Sequence, residues 1–239
     1  VQCARSNGHA HHMGGIAGFI AGGESEISGC TNTGELDNEH YNNNPWKSEG
    51  LQSGSIGGII GAYAYNNDYE ASIKVENCSN TAGLRSSRGM AGGIAGYLRN
   101  GEISGCNNTG TMANGTRSYV AGIVGVVEHV SIDNCTAVCN VAGRSAGSEV
   151  FSGGGIVGIL YDGSSCTNSS FYGSIVSTTT TAGETAGGIA GSSAAGTSIS
   201  GCKFGGAVRG TDITDSNYSS YVAGDSNAQV SSCSYWDGK

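Results

Sequence analysis

Proline is almost missing from this chain: one residue, Pro45, in 239. Basic residues are scarce as well. Eleven Lys and Arg stand against nineteen Asp and Glu, for a formal net charge of −8. The eleven are spread thinly and form no stripe, which argues against a nucleic-acid partner and against attraction to anionic lipid. No apolar run is long enough to cross a bilayer as a helix, so direct membrane insertion is not expected. No signal peptide or initiator methionine opens the sequence. No Cys-x-x-Cys is present, which disfavours a four-cysteine metal site; Cys135 and Cys139 stand four apart and alone. No Gly-x-Asp phrase recurs as in calcium-binding solenoids, and no His-Glu-x-x-His is found. Neither a metal nor a cofactor is expected.

Glycine, by contrast, supplies 43 residues, about two and a half times the usual share. High glycine with high proline would suggest disorder or collagen. High glycine without proline suggests tight turns and close backbone approach. Much of it falls in one phrase. Gly14-Gly15-Ile16-Ala17-Gly18 recurs at Gly57–Gly61, Gly92–Gly96, Ala121–Gly125, Gly154–Gly158 and Gly187–Gly191. The central isoleucines stand at 16, 59, 94, 123, 156 and 189, in steps of 29 to 43 residues. Constant phrases with variable gaps are expected of a solenoid whose loops are free in length.

A second phrase follows each first one after a gap. It reads Ile27-Ser28-Gly29-Cys30, Val75-Glu76-Asn77-Cys78, Ile103-Ser104-Gly105-Cys106, Ile132-Asp133-Asn134-Cys135, Ile199-Ser200-Gly201-Cys202 and Val230-Ser231-Ser232-Cys233. Gly163-Ser164-Ser165-Cys166 is a weaker copy. Six residues after the cysteine an apolar position recurs: Leu36, Leu84, Met112, Val141, Tyr172 and Val208. Three short apolar segments per repeat suit strands and are too short for helices. The sequence therefore predicts an all-β parallel β-helix with about one coil per repeat of roughly 30 residues. Seven or eight coils at about 4.8 Å would make a rod of roughly 35–40 Å. A propeller is the rival architecture, but its four strands per blade need more than this repeat offers. A single domain spanning 1–239 follows, because nothing interrupts the pattern.

Residues three apart on a regular strand face opposite sides. If Ile and Cys both point inward, the chain must bend between them. The residue before Cys is Gly or Asn in five of seven copies, and these tolerate left-handed angles. That position reads as a corner; an ordinary surface turn is the alternative. In-register coils would then stack Cys30, Cys78, Cys106, Cys135, Cys166, Cys202 and Cys233 in one column, with Cys3 as an eighth member. Parallel Cβ atoms about 4.8 Å apart lie outside the usual 3.5–4.5 Å of a disulfide, so free thiols are expected. Bridges between neighbouring coils are the alternative. Cys139 has no counterpart in other repeats. Asn32, Asn80, Asn108 and Asn168, two residues after each cysteine, would form an internal amide column. Near the end, Asp225 falls on the phrase isoleucine by analogy with Ile123. There the core opens or a cap begins, and Tyr235 and Trp236 could cover the last coil.

The phrase Gly-Gly-Ile-Ala-Gly with Ile-Ser-Gly-Cys-x-Asn-Thr-Gly resembles the GLUG-type repeats of large bacterial surface proteins, among them adhesins and the stalks of immunoglobulin-A-specific metallopeptidases. The resemblance covers residues 14 to about 208. The chain departs from the pattern by having Ile in place of Leu in every copy, and by longer gaps at 37–55 and 62–72. The resemblance implies an extracellular, non-catalytic stalk or adhesive module. Because the sequence starts and stops inside the repeat pattern, it is expected to be a piece or processed unit of a longer polypeptide. Its expected partners are host or bacterial glycans or surface proteins.

Binding chemistry concentrates in those two gaps. Asp37–Ser55 holds Tyr41, Pro45 and Trp46; Ala62–Ser72 holds Tyr63, Tyr65 and Tyr69 with amides and Asp68. Aromatic faces beside hydrogen-bonding groups suit sugar rings, so Tyr41, Trp46, Tyr63, Tyr65 and Tyr69 are the candidate glycan contacts. The bland alternative is that these rings pack the loops onto the rod. His9, His11 and His12 would need a fourth converging ligand to hold a metal and read as surface. Glu128 and His129 are adjacent, so on a strand they diverge. Thr178–Thr181 is a threonine run confined to one gap, not a repeated array. Two further readings stay open. The chain is a filament subunit joining head to tail through uncapped strand edges, or a polysaccharide-active β-helix enzyme, which rests on fold analogy alone.

Overall fold

The computed structural model describes residues 12–38, 54–63, 71–86, 89–116, 118–145, 150–177 and 182–239. Among them every regular element is a short strand except one 3-10 turn, Tyr218–Tyr221. The strands form three sheets of six, eleven and twelve members. All pairings are parallel but one: Gly206–Val208 folds back antiparallel on Thr211–Ile213 across Arg209 and Gly210, both at positive φ. This is a β-solenoid. Six layers carry the six Gly-rich phrases, and Gln229–Ser231 and Ser234–Tyr235 add part of a seventh. Among the described residues there are six layers and a fraction, against the seven or eight coils expected.

Each layer runs the same circuit. A strand ending on the first glycine of the phrase lies in the first sheet, as Gly89–Gly92 does. The chain turns at the phrase isoleucine and enters the second sheet. Ile59, Ile94, Ile123, Ile156 and Ile189 are wholly buried at this turn. Their carbonyls each accept two N–H groups from the neighbouring layer, as when Ile94 N and Ala95 N both donate to Ile123 O. Parallel stacking thus satisfies the backbone through the turns as well as the strands. The second glycine is required by space, not by its dihedral angles. A Cβ on Gly93 would lie 2.1 Å from Gly122 O and 2.3 Å from the Asn108 Cγ.

The second phrase forms the corner between the second and third sheets. Asn77, Asn134, Gly29, Gly105 and Gly201 have φ between 50° and 64°, and Ser232 shares the conformation at 55°. One left-handed residue turns the chain so that both Ile103 and Cys106 are fully buried, and likewise Ile132 and Cys135. The corner reading of the sequence holds.

The fifth layer corrects the sequence alignment. Cys166 pairs with Ile132 above and Ile199 below, so it sits in the isoleucine column. The left-handed corner is Asn168, at φ 49°. Ser169 takes the cysteine position: Cys135 N donates to Ser169 Oγ at 3.1 Å, and Ser169 O accepts Lys203 N. The shift of three residues carries through. Phe171, not Asn168, occupies the amide column, and Ile175, not Tyr172, the apolar one. Asn168 instead donates outside the core, to Asp133 Oδ1 at 2.8 Å.

The amide column is therefore half a column. Asn32 Nδ2 donates to Asn80 Oδ1 at 2.7 Å, and Asn80 Nδ2 to Asn108 Oδ1 at 2.8 Å. Each amide also donates to a carbonyl two residues on, Gly34, Ala82 and Gly110. From the fourth layer the column turns apolar: Ala137, Phe171, Phe204 and then Tyr235. The junction uses Cys139. Ala137 leaves room, and the Cys139 sulfur accepts the last ladder proton from Asn108 Nδ2 at 3.4 Å.

One hydrophobic core runs through the described layers, from Met13 to Val222. Its first layer is thinly covered: Ile16 is 52% exposed where its five equivalents are sealed. At the other end Val222, not Asp225, takes the phrase position, since Ile189 N and Ala190 N both donate to Val222 O. Asp225 lies three residues on and closes the edge. It accepts Ser192 Oγ at 2.7 Å, Ser193 N at 2.8 Å and Ser193 Oγ. Tyr235 joins the aromatic column and Trp236 packs edge-on to Tyr172, while Val230 in the same last layer is 46% exposed, so the two rings do not cover the last coil.

Candidate functional site

Outward positions of the third sheet form a shallow cleft in the first three layers. Leu36, Leu84 and Met112 point into the core and are at most 2% exposed. Their neighbours alternate outward, as a pleated strand requires. Asp37 therefore stands beside Arg85, which stands beside Ala113. Glu35, Gly83 and Thr111 complete the lining of a depression of about 230 Å³. The strand Leu36–Asn38 leads directly into the segment 39–53, so the cleft lies at the root of the first long gap.

Asp37 and Arg85 in this cleft are not matched to each other. Asp37 Oδ1 is buried and has no hydrogen-bond partner among the described residues. Arg85, its register neighbour, is exposed, and no ion pair or hydrogen bond holds its guanidinium among them. Some other surface charges are consumed locally. Lys74 bridges Glu76 at 2.7 Å and Glu102 at 3.5 Å; Arg99 meets Glu128 at 3.3 Å, and Tyr97 donates to the same carboxylate at 3.2 Å. A buried lone pair without a donor costs about 1–3 kcal/mol unless something supplies one. The cleft thus offers an acceptor, a forked donor and the Thr111 hydroxyl within one sugar-sized depression.

The predicted aromatic contacts fare differently. Tyr63 is 1% exposed and its hydroxyl donates to Gly23 O at 3.0 Å. Its ring belongs to the core and presents no face to a ligand. The reason is register: Tyr63 pairs with Ile20 and Leu98 in the second sheet, on the inward column. Tyr41, Trp46, Tyr65 and Tyr69 lie outside the described residues, as do Cys3, His9, His11 and Thr178–Thr181. His12 stacks on Phe19 with centroids 5.1 Å apart and shares a hydrogen bond with Ser55 Oγ. No group of three or more metal-binding side chains converges among the described residues. Sequence reasoning missed Arg85 and Thr111. Their signal is positional: each stands next to a recurring core residue, Leu84 or Met112, and so had to face outward.

The cysteines are free among the described residues. Cys30, Cys78, Cys106 and Cys135 stack in the column, and Ser169 interrupts it before Cys202 and Cys233. Hydrogen bonding to the Cys135 thiol and burial push Cys106 up to about 12. Burial alone does the same for Cys139, against a lowering bond from Asn108. Thiols held protonated in this way are poor nucleophiles and poor metal ligands. They serve as small apolar fillers.

No protein-family model, no curated protein and no solved structure matches this chain.

Proposed function

We propose that this chain is a non-catalytic repeat module of a bacterial surface protein, a stalk or adhesin that binds sugar at the Asp37–Arg85 cleft. The observation that carries the binding part is the pair in that cleft, a buried Asp37 oxygen and the Arg85 guanidinium, neither with a partner among the described residues. Sugar hydroxyls donate and accept at once, so one ring satisfies both. The location outside the cell and the kinship to GLUG-type repeats rest on the repeated phrases and on the acidic, sparsely basic composition. A volume of about 230 Å³ falls below the 300–1,000 Å³ of a drug-sized pocket. Affinity for one sugar should accordingly be weak, and useful adhesion needs many copies acting together.

A glycan array with the purified chain identifies the ligand. Titration of that glycan against Asp37→Asn and Arg85→Ala then tests the site. Binding at least ten-fold weaker in both, with melting temperatures within about 2 °C of the parent, is the expected result. Unchanged affinity in both variants removes the cleft from the proposal. Breakdown of the polysaccharide by the chain removes the non-catalytic part.

End-to-end self-association into a filament is the second reading. It is favoured by the exposure of Ile16 and Phe19 on the first layer, 52% and 46%. Sedimentation across a wide concentration range decides it. A monomer throughout, or an assembly indifferent to Ile16→Ser, excludes contact through this end.

A further inference from the structure

The three-residue slip of the fifth layer sets one cysteine apart from the column. Cys166 enters the core from the isoleucine side of the corner, while Cys202, one layer on, enters from the cysteine side. The Asn168 and Gly201 corners stand between the two sides. Their sulfurs therefore approach each other across the corner, 3.9 Å apart, with both residues sealed from solvent. Members of the column proper run parallel, with Cβ atoms separated by the layer spacing of about 4.8 Å. That exceeds the 3.5–4.5 Å that a disulfide accepts. In the Cys166–Cys202 pair the two sulfurs already lie 3.9 Å apart, and closing to the roughly 2.05 Å of a disulfide takes rotation about χ1 together with a small backbone approach that brings the Cβ atoms within about 4.5 Å.

We propose that Cys166 and Cys202 form a disulfide when the chain folds in an oxidising thiol–disulfide buffer, while Cys30, Cys78, Cys106 and Cys135 stay reduced. The chemistry needs an external disulfide of the glutathione class. One cysteine thiolate attacks it, forming a mixed disulfide and releasing one small thiol. The other cysteine thiolate then attacks the protein sulfur of that mixed disulfide and releases the second small thiol. Two cysteine protons and two electrons leave the protein, and one oxidised glutathione becomes two reduced ones. In the finished fold both sulfurs are sealed, so the exchange takes place before the sixth layer docks on the fifth. The product is neutral and suits an apolar core. It ties the Phe171 layer to the Phe204 layer.

The test is refolding of the reduced, denatured chain in reduced and oxidised glutathione, followed by alkylation, proteolysis and mass spectrometry without reductant. The expected product carries one cross-link, between the peptides holding Cys166 and Cys202, and melts at a higher temperature than the same protein treated with reductant. Cys166→Ala and Cys202→Ala should each yield folded protein lacking any link among the remaining described cysteines. A cross-link within the column, such as Cys78 to Cys106 or Cys202 to Cys233, overturns the proposal. So does folded protein from the oxidising buffer in which Cys166 and Cys202 are both alkylated.

Discussion

Replacing Asn80 by Asp changes almost no volume yet should be among the most damaging single substitutions in this chain. Asn80 is 1% exposed and sits in the middle of the amide ladder. Its Oδ1 accepts from Asn32, while its Nδ2 donates to Asn108 Oδ1 at 2.8 Å and to Ala82 O at 2.9 Å. A carboxylate keeps the first bond and converts the other two into oxygen facing oxygen. Remaining neutral is the cheaper escape. Holding an acid of ordinary pKa about 3.9 protonated at pH 7 costs about 1.36 kcal/mol per unit, roughly 4 kcal/mol in all. A protonated acid has one donor for two acceptors, so one carbonyl or amide oxygen stays short of a partner, adding about 1 kcal/mol or more. The expected loss at pH 7 is therefore about 4–6 kcal/mol. The sign of the pH dependence follows. The folded-state pKa of the introduced acid is raised, so its penalty is full above that pKa and shrinks as pH falls toward the unfolded value. Denaturant unfolding of Asn80→Asp and the parent at pH 7 and pH 4.5 measures both quantities. Asn80→Ala is the control, because its loss should not depend on pH. A cost below about 1 kcal/mol at pH 7, or a cost equal at the two pH values, would refute the ladder.

Four further outcomes are expected. Gly93→Ala should destabilise by about 3 kcal/mol or more, because the new Cβ meets Gly122 O at 2.1 Å and the Asn108 amide at 2.3 Å. Gly23→Ala, at φ 81° with open space around it, should cost only about 1–2 kcal/mol of backbone strain, and thermal melts of the two compare space with dihedral directly. At the edge of the sixth layer, burial tends to raise the Asp225 pKa, but bonds from the Ser193 hydroxyl and amide and the Ser192 hydroxyl outweigh it, leaving the group below its ordinary value. Its contribution to stability is then present above the unfolded pKa and lost as pH falls through the folded one. Asp225→Asn should narrow the stability difference between pH 6 and pH 3, and hydrogen exchange at Ser193 N reads the same event locally. Finally, reduced native protein should react slowly with a thiol reagent at Cys78, Cys106 and Cys135 and faster at Cys30 and Cys233, which are only half-buried; equal rates at all five would contradict the burial of the column.

What could be seen in the sequence was whatever repeats against a fixed backbone requirement. The left-handed corner allows Gly or Asn with little strain, so those residues marked it wherever they stood before a cysteine. The glycine phrase marked the sheet-to-sheet turn for a different reason, the absence of space for a Cβ. Identity at the cysteine position was less tightly held, because the site asks only for a small inward side chain that tolerates a nearby backbone N–H. Ser169 meets that demand, accepting from Cys135 N at 3.1 Å and donating to Thr167 O at 2.8 Å. Counting from Cys166 therefore misplaced three columns in one layer. The corner Asn168 carried the correct register, since its φ of 49° matches Asn134. Asp225 was misplaced by the same kind of error, with the Ala-Gly dipeptide of 223–224 aligned to the wrong glycine. Val222 shows the true frame through its backbone bonds.

The cleft was legible only in part because it is built from the residues a repeat leaves free. The core column at Leu36, Leu84 and Met112 fixes the inward face of these strands, and the adjacent outward positions are then open to Asp37, Arg85 and Ala113. A periodic reading treats that variation as noise. Tyr63 shows the converse. Its aromatic ring looked like a binding residue because it opened a long gap, yet it stands at the last inward position of the strand Ile60–Tyr63. The layer still needs a large side chain there, as Leu98 and Val127 supply in the next two layers. In this sheet the inward positions do not alternate strictly: Ile60 and Tyr63, Ala95 and Leu98, and Val124 and Val127 are three apart and all buried. Tyr63 therefore belongs to the core by its column, which the register with Leu98 and Val127 gives and simple alternation along one strand does not. Asp37, which directly follows inward Leu36, opens the first long gap on the outer face.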